Sequence, residues 1–359
     1  MVHQSPRILI VSLGGTFGGV EHYLTGLAGF LEDGAELHVL TQQPELRRRL
    51  KAMGVHVLPM PELPKPLRFP VTALLLPLIF LYYGIDTLQL NGYLDTIFAP
   101  WARLLGRRVI CTRHGTFDVE AYRWYRQPHK FYPRWLCRVC SRFASRVVCV
   151  SETVKQDVAP YLPARIITVI RNWVAQIPRM HLPEQDGRTL RLLYVGRLER
   201  YKGVHLILEA MKRLHDVELT VVGGGPAQAE LEQLAAGMPV QFVGFQAVPA
   251  PFFRAADLLV MPSLGPEGLP LSPLEAMAYS LPVLLSDLPV HAEISAGGSA
   301  GALFRSGDAG DLGEKIEQLR DLSTRQARAR LAHALVEEEF GAEKARQAYR
   351  QLFGVKGTA

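Results

Sequence analysis

The sequence predicts an α/β protein made of two parallel, doubly wound sheets, and three observations carry the prediction. Short apolar runs alternate with helical or loop segments along most of the chain, the pattern of strands covered on both faces. The alternation pauses in a polar, proline-bearing stretch at 171–189 and then restarts. A chain of 359 residues also exceeds what one ordinary hydrophobic core accommodates.

In order, "RILIVSL" (7–13) reads as a buried strand, followed by a glycine turn and an amphipathic helix that Gly34 ends. "ELHVLT", "VHVLPM", "DTLQL", "RRVICT", "RVVCVS" and "RIITVI" then read as short strands. After the pause come "LRLLYVG", "VELTVVG", "VQFVG", "DLLVMPS" and "PVLLSD" as strands, with helices at "GVHLILEAMKRLH", "AQAELEQLAAG" and "SPLEAMAYS". The expected organisation is an N-terminal Rossmann-like domain over 1–172, a linker over 173–189 and a second Rossmann-like domain over 190–340. A C-terminal helix over 341–359 is expected to pack back toward the first domain, and the two domains to face each other across a cleft.

Composition excludes several classes. Scattered glycine and proline argue against a fibrous or disordered chain. Four cysteines are no disulfide framework. Cys137 and Cys140 form a single C-x-x-C in a helix-like run with no second pair, which reads as a buried helix face rather than a metal or redox site. The N-terminus runs straight into a strand, so no secretory leader is expected. The most apolar stretch, "LRFPVTALLLPLIFLYY" (67–83), carries Pro70 and Pro77. It reads first as a buried core helix, with an interfacial helix and a membrane span as the alternatives.

Charge is uneven. Residues 1–170 hold 20 Lys and Arg against 12 Asp and Glu, a balance of +8, while the remainder stands at −2. The densest part, 123–146, has seven cations and no acid. Arg126, Lys130, Arg134, Arg138, Arg142 and Arg146 recur every four residues, expected to form one helical stripe beyond Pro133. A solvated face and a dock for anionic lipid or an anionic acceptor both fit. No nucleic-acid motif accompanies the patch.

Ligands of such sheets sit at the carboxyl ends of the strands, so the loops there are where chemistry is sought. "SLGGTFGGVE" (12–21) misses G-x-G-x-x-G because Thr16 stands at the second glycine position. Its glycines, including Gly18 and Gly19, allow close backbone approach and leave amides at a helix N-terminus for an anion, though ligand-free tight-turn glycines fit equally. In "VGRLERYKGVHL" (195–206), Arg197 and Lys202 flank a helix that begins near Gly203. Two cations at a positive helix end neutralise a diphosphate without a metal; solvated loop cations are the plainer reading. "GPEGLPLSPLEAMAYSLPV" (265–283) places Glu267 and Glu275 eight positions apart. Ser272-Pro273-Leu274-Glu275 reads as a capping box with proline at N1, worth about 1 kcal/mol.

The ordered set "YVGRLERYKGVHLILEAM", "LTVVGGGP", "VQFVGF", "AADLLVMPS", "EGLPLSPLEAMAYSLPV" and "GALFRSGD" resembles the family-four retaining glycosyltransferases of the GT-B fold, which build bacterial polysaccharides, lipopolysaccharide cores and glycolipids. The resemblance is strongest over about 190–320, and "TRHG" (112–115), "VCVSETVKQDV" and "VIRNWV" extend it toward the N-terminus. It implies that Arg197 and Lys202 hold the donor diphosphate, Glu275 the ribose hydroxyls and Glu267 a hydroxyl of the transferred sugar. Backbone amides between the glutamates, at Leu269 and Leu271 with Ser272 beside them, would contact the sugar. Gly18, Gly19 and His114 would serve donor sugar and acceptor from the other domain. The substrates implied are a UDP- or GDP-sugar and a glycan or lipid-linked acceptor. The setting implied is cytoplasmic, peripheral on the inner membrane face. No D-x-D triplet occurs, which fits a site with no metal or other cofactor. One departure stands out: where the family has Gly-Phe-Gly, this chain has Gly268-Leu269-Pro270, and Pro270 lacks an N–H. A catalytically silent nucleotide-sugar binder and another GT-B enzyme, such as a sugar epimerase, remain the alternative readings.

Overall fold

The apolar runs pair as strands because a continuous β-branched and leucine-rich segment is at home where helices cover both faces of a sheet. The computed structural model of the protein describes residues 5–13, 19–60, 63–116, 134–182 and 189–355. These residues divide between two compact units. The first takes those within 1–117, 128–172 and 343–359, the second those within 173–342.

The first unit alternates β1 (Arg7–Ser12), α1 (Gly19–Leu31), β2 (Glu36–Thr41), α2 (Pro44–Ala52), β3 (His56–Val57), α3 (Lys65–Tyr82), β4 (Thr87–Leu90), α4 (Phe98–Leu104), β5 (Arg108–Arg113), α5 (Arg134–Ser141), β6 (Arg146–Cys149), α6 (Glu152–Val158) and β7 (Ile167–Val169). Its sheet runs β3-β2-β1-β4-β5-β6-β7, with every pairing parallel. The order reverses direction between β1 and β4, and sheets of this kind ordinarily bind ligands at the carboxyl ends of the strands at such a reversal.

The second unit holds β8 (Leu190–Val195), α7 (Val204–Met211), β9 (Val217–Val222), α8 (Gln228–Leu234), β10 (Val240–Gly244), α9 (Ala250–Ala255), β11 (Leu258–Met261), α10 (Leu271–Ala278), β12 (Val283–Ser286), α11 (Pro289–Ile294), β13 (Ala302–Phe304), α12 (Ala309–Gln318) and α13 (Leu322–Glu339). Its parallel sheet runs β10-β9-β8-β11-β12-β13 and reverses between β8 and β11. Asp257 anchors that central pair by accepting from Arg191 Nε, Nη2 and backbone N–H, each at 2.9 Å. The chain closes with α14 (Ala342–Phe353), whose residues from Glu343 belong to the first unit. There the Tyr23 hydroxyl donates to the Tyr349 hydroxyl at 3.0 Å, and Arg350 donates to the Phe30 carbonyl.

Three expectations change. The 67–83 run is a helix, but not a buried one: Thr72, Leu76 and Phe80 face the core, while Leu74, Leu78 and Leu81 are largely exposed. A helix apolar all round gives no periodic signal to separate the two faces. The basic stripe is also not a single helical face. α5 ends at Ser141, Arg142 lies in the following turn and Arg146 is the first residue of β6. Arg142, Phe143 and Ala144 close the helix with amides on the carbonyls three residues back, so the four-residue recurrence outlasts the helix that it suggested. Arg126 and Lys130 lie outside the described residues. Finally, β13 adds an edge strand that its short Ala-Leu-Phe core did not announce. Cys137 and Cys140 are buried on α5, as expected of a helix face. No described helix is long and apolar enough to cross a membrane.

Candidate active site

In the second unit, the loops after β8 and β11 meet at the reversal point of the sheet. The β8 loop is shaped from both sides by glycines. A Cβ on Gly203 (φ +72°) would collide with the Pro262 carbonyl, and one on Gly223 (φ +140°) with the Gly196 carbonyl. Only glycine lets these backbones approach so closely. Tyr194, fully buried in β8, donates its hydroxyl to the Arg197 carbonyl at 2.8 Å and holds the turn. The loop then delivers Lys202 at the doorstep of α7, whose N-cap is Gly203.

Lys202 does not project into water. Its Nζ donates to Glu267 Oε1 at 2.5 Å, and both residues are buried. Ser263 donates to the same oxygen at 2.7 Å. Glu267 Oε2 receives no hydrogen bond among the described residues. Burial alone would raise the Glu267 carboxyl, but the Lys202 ammonium, His291 and the two hydrogen bonds outweigh it and draw its pKa below the usual value. The carboxylate is therefore charged at neutral pH.

Behind this pair stands a group that sequence reasoning missed. Ser286 donates to the Ser263 carbonyl at 2.6 Å, and His291 Nδ1 lies 2.9 Å from the Ser286 carbonyl. A carbonyl only accepts, so Nδ1 carries the proton. The opposite nitrogen, Nε2, is buried without a partner among the described residues. Burial drops the His291 pKa to about 4, so the ring is neutral at physiological pH. Nothing local marks Ser263, Ser286 or His291; they meet only once β11 and β12 pair.

Arg197 is exposed and reaches Tyr201 Oη at 2.9 Å, with Glu199 3.6 Å away. Glu275 lies on α10, partly buried, and its carboxylate makes no hydrogen bond or ion pair among the described residues. Burial alone lifts its pKa to about 7.

The capping-box expectation fails. α10 starts at Leu271 with Pro270 as N-cap, no side chain caps it, and Ser272 and Pro273 are its second and third residues. The first amides of a helix have no intrahelical acceptor, so proline is tolerated anywhere in that turn and does not set the register. Glu275 is thus free of the structural duty assigned to it. Leu269 is buried, while Leu271 and Ser272 are half-buried in the first turn of α10.

The remaining predicted residues lie in the first unit. Gly18 falls outside the described residues, and Gly19 opens α1. His114 follows β5, its ring edge-on to Tyr23 at 4.5 Å. Its Nε2 is buried with no partner among the described residues, and burial, then the Arg113 charge, lower its pKa to about 3. Tyr23 joins a polar chain: Gln89 Nε2 donates to Thr112 Oγ1 at 2.6 Å, which lies 3.2 Å from the Tyr23 hydroxyl. Asp95, after β4, accepts from the Gly92 amide at 2.8 Å, yet burial lifts its pKa to about 7.

The described residues thus form two parallel doubly wound units, each with its loops gathered at the carboxyl ends of its strands. Family models agree: "Glycosyltransferase Family 4" matches residues 17–175 and "Glycosyl transferases group 1" matches 189–321. Together they span most of the sequence, and the chain belongs to this glycosyltransferase family. A lipopolysaccharide core biosynthesis glycosyltransferase of Rhizobium meliloti is 30% identical over 220 residues, 58% of this chain and 64% of that protein. The chain spans less than two thirds of the length of the curated relatives it matches, such as 32% of a sulfoquinovosyl transferase of Arabidopsis thaliana. In fold it is similar to Anabaena HepE, solved with UDP-glucose, with a TM-score of 0.83 and 20% identity over 97% of this chain and 99% of that one. WaaG, a glycosyltransferase involved in lipopolysaccharide biosynthesis, gives 0.74 and 16%, over 97% and 100%. The fold is GT-B.

Proposed function

We propose that the protein transfers a sugar, with retention at the anomeric carbon and without a metal ion, from a UDP- or GDP-sugar to a glycan or lipid-linked acceptor in cell-envelope polysaccharide synthesis. The observation that carries this reading is the Lys202–Glu267 pair at the sheet reversal of the second unit. An ammonium has three N–H donors, and Glu267 engages one of them. The others are available to a diphosphate, while Glu267 Oε2 is available to a hydroxyl of the sugar attached to it. Arg197, exposed on a loop beside Tyr201, adds a second cation that can turn onto the phosphates. Glu275 suits a ribose diol: two hydroxyl donors stabilise the carboxylate that burial now disfavours. The amides of Leu269 and Leu271, with Ser272, are assigned to the sugar, and Gly18, Gly19 and His114 of the first unit to donor sugar and acceptor.

The chemistry follows from where charge grows. The bond between the anomeric carbon and the diphosphate oxygen breaks, leaving negative charge on phosphate and oxocarbenium character on the sugar. Preorganised cations stabilise the first, and this is the largest catalytic contribution. The acceptor oxygen bonds on the face that the phosphate leaves, and its proton passes to the departing phosphate oxygen. No side chain is assigned as base. A HepE structure contains UDP-glucose, which makes it the first donor to try.

A panel of UDP- and GDP-sugars with an envelope-lipid acceptor extract tests the reading. Release of UDP or GDP, lost in Arg197→Ala along with the thermal shift that nucleotide produces, is the expected result. Binding of UDP without turnover of any donor would instead support a silent binder, which the missing Pro270 N–H favours. Failure to bind either nucleotide defeats both.

A further inference from the structure

Three neighbouring helices of the first unit present an apolar face to solvent. α4 packs against both α3 and α5, and Phe69 of α3 stacks on Phe98 of α4 at 5.9 Å. On the outer side, Leu74, Leu78 and Leu81 are 76%, 64% and 80% exposed, Leu104 is 78% and Trp135 is 67%. Positions 74, 78 and 81 share one side of a helix whose opposite stripe, Thr72, Leu76 and Phe80, is buried in the unit. A surface helix ordinarily turns polar residues outward, and large apolar side chains exposed on three neighbouring helices mark a contact surface.

Charge says what kind of contact. The sequences of α3, α4 and α5 contain Lys65, Arg68, Arg103, Arg134 and Arg138 and no acidic residue. Arg103 stands between the exposed Trp101 and Leu104, and Arg142 beside the exposed Phe143. Both are exposed and bond only to backbone carbonyls, of Arg107 and Tyr161, with no carboxylate partner among the described residues. A second copy docked face to face would set cations against cations, which disfavours a self-complementary interface. An anionic bilayer supplies what the face lacks, acyl chains for the leucines and tryptophans and phosphates for the arginines.

We propose that the outer face of α3, α4 and α5 docks on an anionic lipid surface. The helices lie along it rather than through it, because their inner stripe is already buried in protein. This face takes in α5 and the turn after it, which belong to the 123–146 stretch that charge counting alone singles out, but its centre is α3. The inference does not depend on the donor chemistry proposed above.

The experiment is partition of the full chain onto phosphatidylcholine vesicles with and without phosphatidylglycerol. Binding to the anionic vesicles is expected, weakening with salt. Leu74→Asp with Leu78→Asp should lower the partition coefficient by about tenfold or more. Arg103→Glu with Arg142→Glu should lower it by about tenfold, on anionic vesicles only. Because any variant can misfold, the wild-type chain is also mixed with vesicles carrying brominated acyl chains; quenching of its tryptophan fluorescence, reduced in Trp135→Phe, supports insertion of this face. Equal, negligible partition onto both vesicle types, or absence of quenching, overturns the proposal. So does a vesicle-free dimer that the Leu74→Asp and Leu78→Asp double variant dissociates, which would assign the face to a second copy.

Discussion

The strand-end loops of the two units solve different electrostatic problems. In the second unit they bury opposite charges in contact, Lys202 and Glu267, and surround them with hydroxyls. In the first, burial works against the charged forms of several groups near the strand ends, which lie beside the buried cation Arg113. His114 titrates only at about 3, Tyr23 is pushed up to about 12 chiefly by burial, and Asp95 is lifted to about 7. A site that receives a diphosphate needs ready-made charge, whereas one that receives sugar hydroxyls needs polar groups without net charge. On the proposed function the contrast would divide the labour between donor and acceptor, and it can be broken by experiment.

The sharpest test separates chemistry from scaffolding in the charged unit. Removing one partner of a buried ion pair leaves the other uncompensated, at a cost of about 3–5 kcal/mol. Lys202→Met should lower the melting temperature markedly and turnover by about a thousandfold. The double variant Lys202→Met with Glu267→Gln removes the stranded charge and should recover most of the melting temperature. Turnover should stay lost. Recovery of both would reduce the pair to a structural bridge and dissolve the contrast.

Next in size is the pH dependence of donor affinity. A Glu275 carboxyl with a pKa of about 7 is mostly protonated at pH 6 and mostly ionised at pH 8. Ribose hydroxyls donate to the ionised form, so affinity for UDP-glucose should rise by about tenfold from pH 6 to pH 8. His114 and His291 do not obscure this window, since both are already neutral there. Stability should move the other way. The unfolded carboxyl ionises near 4.5 while the folded one stays protonated, so this residue's contribution falls as pH climbs from 4.5 through 7. Glu275→Gln should thus flatten the affinity profile without lowering the melting temperature at pH 8. A profile unchanged by the substitution removes Glu275 from the donor site.

On the neutral side, His114→Ala deletes a group that can offer one uncharged hydrogen bond. Turnover should fall by about tenfold, with UDP affinity unchanged in a titration. The wild-type turnover profile should show no ionisation near 6.5 that the variant loses. A histidine ionisation at that pH would contradict the buried, neutral ring.

Much of this architecture was legible in the sequence, and the exceptions share a cause. The strands of both sheets, apart from β13, announced themselves as apolar runs, and the order of motifs pointed to the GT-B fold. The motif at 265–283 brought both glutamates to notice, but not that Glu267 sits on Lys202. Those residues are 65 positions apart and meet because β8 and β11 are neighbours, a pairing that local pattern does not encode. His291 and Ser263 were invisible for the same reason. The outer face of α3 was hidden by its uniform hydrophobicity, which reads alike whether it meets protein, lipid or water.

The smallest expected effect returns to the serine-proline motif that looked like a cap. Ser151 in the first unit does cap a helix, its hydroxyl accepting from the Val154 amide at 3.0 Å at the start of α6. Ser272 in the second unit looks similar on paper, yet sits one residue inside the helix after Leu271 and caps nothing. Ser151→Ala should cost about 1 kcal/mol in denaturant unfolding. Ser272→Ala should stay within about 0.5 kcal/mol, the range of an ordinary surface change. An equal loss at both positions would mean that α10 starts at Pro273 after all. Glu275 would then be returned to a capping role, and its unpartnered carboxyl, on which ribose recognition leans, would be spoken for.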